Sequence, residues 1–305
     1  MSGVVRGLVQ VAGNAVVDVL VRDVEESRGV AADAWGANVQ LLERPVEAAL
    51  GGCGAAPAYL LGRLGQRVRL HTNLGWDGWG NLIREWLRQG EVEICAADFA
   101  VTAVNVILLT PEGKRRSLYY TGEKVGWRGA LEGETPEWLL ASGYGKVERE
   151  DLAEMRELFS EMRHRGAKVM FDPSPWFAGR VEKEEMLATW REVDCLAGTQ
   201  EELGFWMDTE DAEELAGEIL ETGPELVAVK RGEEGAVFAT RTGEKGSLAA
   251  EKVRAANSVG AGDSFNGRLL FGLCRGEEAE KAVTAAVALA TQVVRGGRGV
   301  LGALG

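Results

Sequence analysis

From Leu139 onward the chain alternates short apolar runs with segments of helical period, and that alternation constrains the fold more than any other feature. Leu152, Met155, Phe159 and Met162 give one helix an apolar face; residues 168–171 read as a strand, and Asp172-Pro-Ser-Pro175 as the loop leaving it. Residues 193–198 form a further strand, Thr199-Gln200-Glu201-Glu202 opens a helix, and Ala212, Leu215, Ala216 and Ile219 line another. Residues 226–229 are a strand again, followed by the turn Lys230-Arg-Gly232-Glu-Glu-Gly235. Strands separated by helices pair in parallel, are covered on both faces and cross over right-handed. Ligands of such sheets lie beyond the carboxyl ends of the strands, so topology alone places Asp172 near a site. The expected class is α/β, with a mainly parallel central sheet flanked by helices.

The first half adds β structure of another kind. Residues 4–11, ending at Gly13, read as the first strand of the buried sheet. Val17, Val19 and Val21 alternate with Asp18, Leu20 and Arg22, which predicts a half-exposed strand carrying Asp18 opposite the valines; a solvated aspartate is the plain reading of that residue. Gly51-Gly52-Cys53-Gly54 opens a helix that Gly65 ends, and residues 68–72 are a strand. Trp79, Leu82, Ile83, Trp86 and Leu87 predict an amphipathic helix whose tryptophans are core. Residues 101–110 and 117–120 flank a turn and make a hairpin. With the Val17 strand, the hairpin predicts a small β lid of approximately residues 14–44 and 97–125 on a single domain spanning 1–305. Lys114, Arg115 and Arg116 read as a solvated basic turn, contact with an anionic substrate being the alternative.

With 47 acidic against 34 basic residues the formal charge is -13, which argues against nucleic acid or an anionic membrane as partner and points to a small-molecule ligand. Cys53, Cys95, Cys195 and Cys274 form no C-x-x-C pair, so buried reduced thiols are expected. His71 and His164 are too few for a zinc site or a histidine-based triad. No signal-type segment and no run approaching about 18 apolar residues is present, so the expected location is cytoplasmic.

The densest chemistry lies in Asn257-Ser-Val-Gly-Ala-Gly-Asp-Ser-Phe-Asn-Gly267. Phe265, Leu269 and Leu273 recur every four positions, so a helix starts near Gly260. The first N–H groups of a helix have no intrahelical partners and its dipole is positive there, so Gly260, Ala261 and Gly262 can receive a phosphate at close range. Asp263 beside them reads plainly as a helix-start carboxylate; the sharper reading is a general base next to an anion hole, the pairing that phosphoryl transfer to an alcohol needs. No P-loop pattern occurs, and the final glycine spacing is wrong for a dinucleotide fingerprint.

Gly260-Ala-Gly-Asp263 with Phe265 and Gly267 resembles the C-terminal signature of the ribokinase, or PfkB, family of carbohydrate kinases, and in chain order the rest of that family's pattern follows over nearly the whole sequence. The resemblance implies a ribokinase-like, three-layered fold whose β lid closes over the substrate and supplies a homodimer contact. It implies catalytic roles for Asp263 and the Gly260, Ala261 and Gly262 amides, and substrate contacts at Asn14, Asp18, Gly51 and Gly52. ATP would meet Thr199, Glu202, Lys230, Gly232 and Gly235, with Mg2+ reached by Glu202 through water. The chain departs from the family pattern at Val16 and Ala56, each in place of an asparagine that contacts sugar hydroxyls, at Thr199 for asparagine, and at Asn257-Ser258 for Asp-Thr. The first two imply an acceptor less hydroxylated on that side or differently oriented. The last removes a charge that holds a monovalent cation in the family and puts potassium activation in doubt.

The expected function is ATP-dependent phosphorylation of a hydroxyl on a sugar or sugar derivative. One alternative is a nucleoside kinase of the same family, with room for a base near Trp35 or Trp76. Another, from a different class, is a non-catalytic ligand-binding or regulatory protein on the kinase fold.

Overall fold

The computed structural model describes residues 7–24, 39–99, 101–112, 114–253 and 257–304. In chain order the strands of the first half are β1 (Leu8–Ala12), β2 (Val16–Arg22), β3 (Glu47–Gly51), β4 (Arg67–Gly75), β5 (Glu93–Phe99), β6 (Ala103–Leu109) and β7 (Arg115–Tyr120). Helices α1 (Ala55–Arg63) and α2 (Gly78–Gln89) lie among them. The second half runs β8 (Trp138–Ser142), α3 (Arg149–His164), β9 (Lys168–Asp172), α4 (Lys183–Trp190), β10 (Cys195–Thr199), α5 (Gln200–Gly204), α6 (Ala212–Thr222) and β11 (Leu226–Lys230). It ends with β12 (Ala236–Thr240), β13 (Lys245–Leu248), α7 (Ala261–Cys274) and α8 (Ala279–Gly296).

Nine strands form one sheet in the order β13-β12-β11-β10-β9-β8-β1-β4-β5, parallel from β11 to β5 and antiparallel at the β12 and β13 edge. Alternation along each buried strand feeds two separate cores. Met170, Cys195 and Ala197 pack on the α1, α2, α7 and α8 side, while Val169, Phe171 and Leu196 pack against α3 to α6. Near-continuous apolar strands are the sequence consequence of burial on both faces. Along this sheet the order reverses about β1, whose neighbours β4 and β8 continue in opposite directions, and a crevice opens at such a point.

A smaller four-stranded sheet, β3-β2-β6-β7, stands beside the first. β2 pairs with β6 in parallel and with β3 antiparallel, and β6 and β7 form the expected hairpin.

Local expectations are corrected at several points. The first strand starts at Leu8 and reaches Ala12; residues 1–6 lie outside the described residues. Asp18 is not solvated but 7% exposed, because the inner face of β2 is covered by the main sheet's loops. Trp79, in the first turn of α2, is 43% exposed and not core; Trp86 is half-buried against the core. Residues 299–302 form a 3₁₀ turn, and Val300 is buried. Cys53 and Cys195 are buried, Cys95 and Cys274 partly so, and all four are free thiols. Among the described residues no helix is long and apolar enough to cross a membrane.

Candidate active site

A cavity of about 740 Å³ opens where the carboxyl ends of the central strands meet the inner face of the small sheet. Each central strand delivers a side chain as it ends: Asn14 after β1, Tyr144 after β8, Asp172 closing β9, Thr199 closing β10 and Lys230 closing β11. Opposite them, Asp18 of β2, Asn105 of β6 and Tyr119 of β7 stand side by side in the pairing register, a polar row across three strands.

The N-terminus of α7 closes the cavity. Gly260 caps it at φ 77°, a left-handed conformation that glycine adopts without strain. The first i→i−4 bond runs from the Ser264 N–H to the Gly260 carbonyl at 2.9 Å, and the Ala261 N–H donates to the Ser258 carbonyl at 3.3 Å. Among the described residues the N–H groups of Gly260, Gly262 and Asp263 find no protein acceptor. Asp263 is half-buried in the same wall. Burial, and then repulsion from Asp172, push its pKa up to about 7 against the pull of Lys230.

Lys230 is buried with Asp172 and Asn266. Its ammonium donates to Asp172 Oδ2 at 2.8 Å and to Asn266 Oδ1 at 3.4 Å, and Asn266 Nδ2 donates to the same Asp172 oxygen at 2.6 Å. Burial works against the lysine's charge, but the Asp172 and Glu202 carboxylates outweigh it and raise its pKa above the ordinary value. Asp172 Oδ1 accepts from the Ser174 N–H at 3.2 Å and holds Ser174 at φ 61°, a strained backbone for a serine and one that structures concentrate near sites.

Asp18 accepts from Asn105 Nδ2 at 2.9 Å, and burial raises its pKa to about 6 although Asn105 and Arg115 both oppose the rise. Its other oxygen rests on Gly51, where any Cβ would collide with it. Asn14 is a brace: its Oδ1 accepts from the Cys53 N–H at 2.9 Å, and its Nδ2 donates to the Tyr119 hydroxyl at 2.8 Å. The Tyr119 ring meets Trp176 edge-on, centroids 6.1 Å apart, which gives the cavity an aromatic wall.

Glu202 is buried in a capping box. One oxygen accepts from the Thr199 N–H at 2.7 Å and the other from the Tyr144 hydroxyl at 2.8 Å. Burial, then Glu202 and Asp172, push the Tyr144 hydroxyl far up, so it stays a donor. Among the described residues no group of three or more His, Cys, Asp or Glu side chains is placed to hold a metal ion.

Of the residues singled out from sequence, Asn14, Asp18, Gly52, Thr199, Glu202, Lys230, Gly260, Gly262 and Asp263 line this cavity. Gly51 and Ala261 stand behind the wall, and Gly232 and Gly235 lie away from it in the β11–β12 turn. Trp76 does not line it either: the residue is 65% exposed, with the Arg84 guanidinium 3.8 Å from its ring centroid. Trp35 lies outside the described residues. Sequence reasoning missed Asn105, Tyr119, Tyr144 and Trp176. The carboxyl-end rule could have found Tyr144, two residues beyond β8; nothing in the sequence marks Trp176.

A family model described as pfkB family carbohydrate kinase matches residues 12–300. The probable fructokinase-4 of Arabidopsis thaliana is 26% identical over 237 residues, covering 72% of each chain. Among solved structures, a probable sugar kinase from Rhizobium etli superposes with a TM-score of 0.77 at 21% identity, over 95% of this chain and 93% of its own. Ribokinase from Thermotoga maritima does so with a TM-score of 0.70 at 22% identity, over 95% and 93%. At that identity the two structures show a shared ribokinase-like fold.

Proposed function

The chain belongs to the PfkB family of carbohydrate kinases and is a sugar phosphotransferase, and from that premise we propose that it moves the γ-phosphoryl group of ATP onto a hydroxyl of a sugar or sugar derivative, with Asp263 as general base. The observation that carries the reading is the first turn of α7: a half-buried carboxylate with a pKa of about 7 beside N–H groups that find no acceptor among the described residues.

An acceptor hydroxyl beside Asp263 gives up its proton to the carboxylate as its oxygen attacks phosphorus in line. The Gly260, Gly262 and Asp263 amides then hold the charge on the transferring oxygens, and the Lys230 ammonium stands 3.8 Å from where a Gly262 side chain would begin. Asp18 and Asn105 orient the acceptor, and Asn14 keeps Tyr119 and the Gly52-Cys53 turn in register. Thr199 and the Gly232–Gly235 turn belong to the nucleotide side. The small sheet serves as a lid that keeps water from competing with the acceptor. Leu118 and Tyr120 on its outer face, each about half exposed, offer apolar surface for a second copy.

Both Glu202 oxygens already accept a hydrogen bond, so the residues present suit water-mediated contact with magnesium and not a direct ligand cage. Magnesium bound to the nucleotide would neutralise phosphate charge. Asn257 spends both ends of its amide on the Gly297 carbonyl and the Val259 N–H, which leaves a monovalent cation no free side-chain ligand from it.

Acceptor-dependent ADP release, measured with ATP over a panel of hydroxylated sugars, tests the reading. Release that Asp263→Asn abolishes supports it; release indifferent to that change, or none with any acceptor, overturns it.

A further inference from the structure

Sequence reads Lys114, Arg115 and Arg116 as one basic turn, but the two-residue period of β7 separates them. Arg115, Ser117 and Tyr119 line the cavity, whereas Arg116 does not and Leu118 and Tyr120 face outward. The Arg115 guanidinium has one described bond, from Nε to Ser117 Oγ at 3.3 Å, and no ion pair among the described residues. Lys230, the other cation of the wall, is already neutralised by Asp172 at 2.8 Å. Arg115 is therefore the uncommitted positive charge of the cavity, as far as the described residues go.

Its place is informative. Tyr119 stands in the row with Asp18 and Asn105, and Arg115 lies four residues back along β7 and two strands across from Asp18, roughly 16 Å between their backbone positions. A long side chain reaching back leaves a gap of about one sugar between guanidinium and carboxylate. Val16 adds an apolar stretch to the same wall. A neutral polyol would set hydroxyls against Val16 and leave Arg115 unused.

We infer that the acceptor is a sugar acid, its carboxylate held by Arg115 and a hydroxyl at its other end presented to Asp18 and Asp263. This rests on the kinase reading above. A carboxylate is favoured over a second phosphate because Asp18, Asp172, Glu202 and Asp263 already crowd the cavity and the nucleotide brings further negative charge. One singly charged planar group matches one guanidinium fork. The reaction balances without a further reactant: the acceptor oxygen bonds to the γ-phosphorus, the bond to the β-bridging oxygen breaks, ADP leaves and the hydroxyl proton passes to Asp263.

The test uses the full chain with ATP and matched sets of five- and six-carbon aldoses, their aldonates and 2-ketoaldonates, and their terminal phosphates. At least one acid is expected to exceed its aldose more than tenfold in kcat/KM. Arg115→Gln should lower that ratio by about 10- to 100-fold through KM, the loss of one charge-assisted hydrogen bond, and Arg115→Lys should recover part of it. Preference for the aldose or the phosphate, or a ratio that Arg115→Gln leaves alone, overturns the inference while leaving the kinase reading intact. If no acceptor turns over, the kinase reading fails separately. Calorimetry with the same acids then decides this one: binding that Arg115→Gln abolishes upholds it, and absent or Arg115-independent binding overturns it.

Discussion

Lys230 Nζ lies 2.8 Å from Asp172 Oδ2, and this one buried ion pair ties the end of β11 to the end of β9 and, through Asn266, to α7. Removing one partner strands the other's charge on a cavity wall where little water reaches it, at a cost of about 3–5 kcal/mol at most. Lys230→Met is therefore expected to lose that much stability in urea unfolding, and most turnover with it. Combining Lys230→Met with Asp172→Asn removes the stranded charge and keeps a partner for Asn266, so stability should return. Turnover should not; a double variant that regained it would take Lys230 out of phosphoryl transfer.

Asp263→Asn keeps the shape of the α7 start and removes the proton acceptor. Turnover should fall by about 10²- to 10⁴-fold, the usual worth of a general base, with nucleotide affinity by calorimetry little changed. The parent's kcat/KM should rise with pH through about 7, where Asp263 of the free chain gives up its proton, and the residual kcat/KM of the variant should lack that limb. A limb that persisted in Asp263→Asn would assign it to another group.

What the sequence made legible here was local. Gly260, Gly262, Phe265 and Leu269 define the start and the inner face of α7 within ten residues, and the helix begins where that spacing puts it. Asp172 was reachable because the carboxyl-end rule depends on strand order alone. By contrast, β3 (Glu47–Gly51) pairs with β2 across residues that carry no strand signal, and Tyr119 and Trp176 meet only because the small sheet is set over the β9 loop. Helical period gave Trp79 the face of α2 that carries buried Ile83 but could not say that Trp79 itself stays 43% exposed. Arg115 shows the same limit: composition marks the charge, and only the register with β6 says which way it faces.

Asp18 and Asp263 keep their protons in the folded chain at pH values where the unfolded chain has lost them, since burial raises both from 3.8, to about 6 and about 7. Where the folded state binds more protons, stability falls as pH rises. The loss should begin near pH 4 and level off above pH 6 for Asp18 and above pH 7 for Asp263. Asp18→Asn and Asp263→Asn should thus gain Tm over the parent at pH 8 and show no such gain below pH 4. The scale is about 2–4 °C for each kcal/mol released, at the lower end for a chain of this length. Parallel Tm curves across the range would mean that neither carboxylate is held protonated.

Gly51 ends β3 opposite Val16, and a Cβ there would run into the Asp18 carboxylate. Gly51→Ala must displace either that carboxylate or the strand, and the side chain is the softer of the two. Because Asp18 is proposed to position the acceptor and not the nucleotide, KM for the acceptor should rise tenfold or more, the scale of a lost charge-assisted hydrogen bond, while KM for ATP stays within about twofold. Asp18→Asn should show the same asymmetry without the steric cause, and Gly51→Ala added to it should cost little more, since two changes acting through one contact are not additive. A rise in KM for ATP in either variant would instead place the Asp18 and Gly51 contact on the nucleotide side of the cavity.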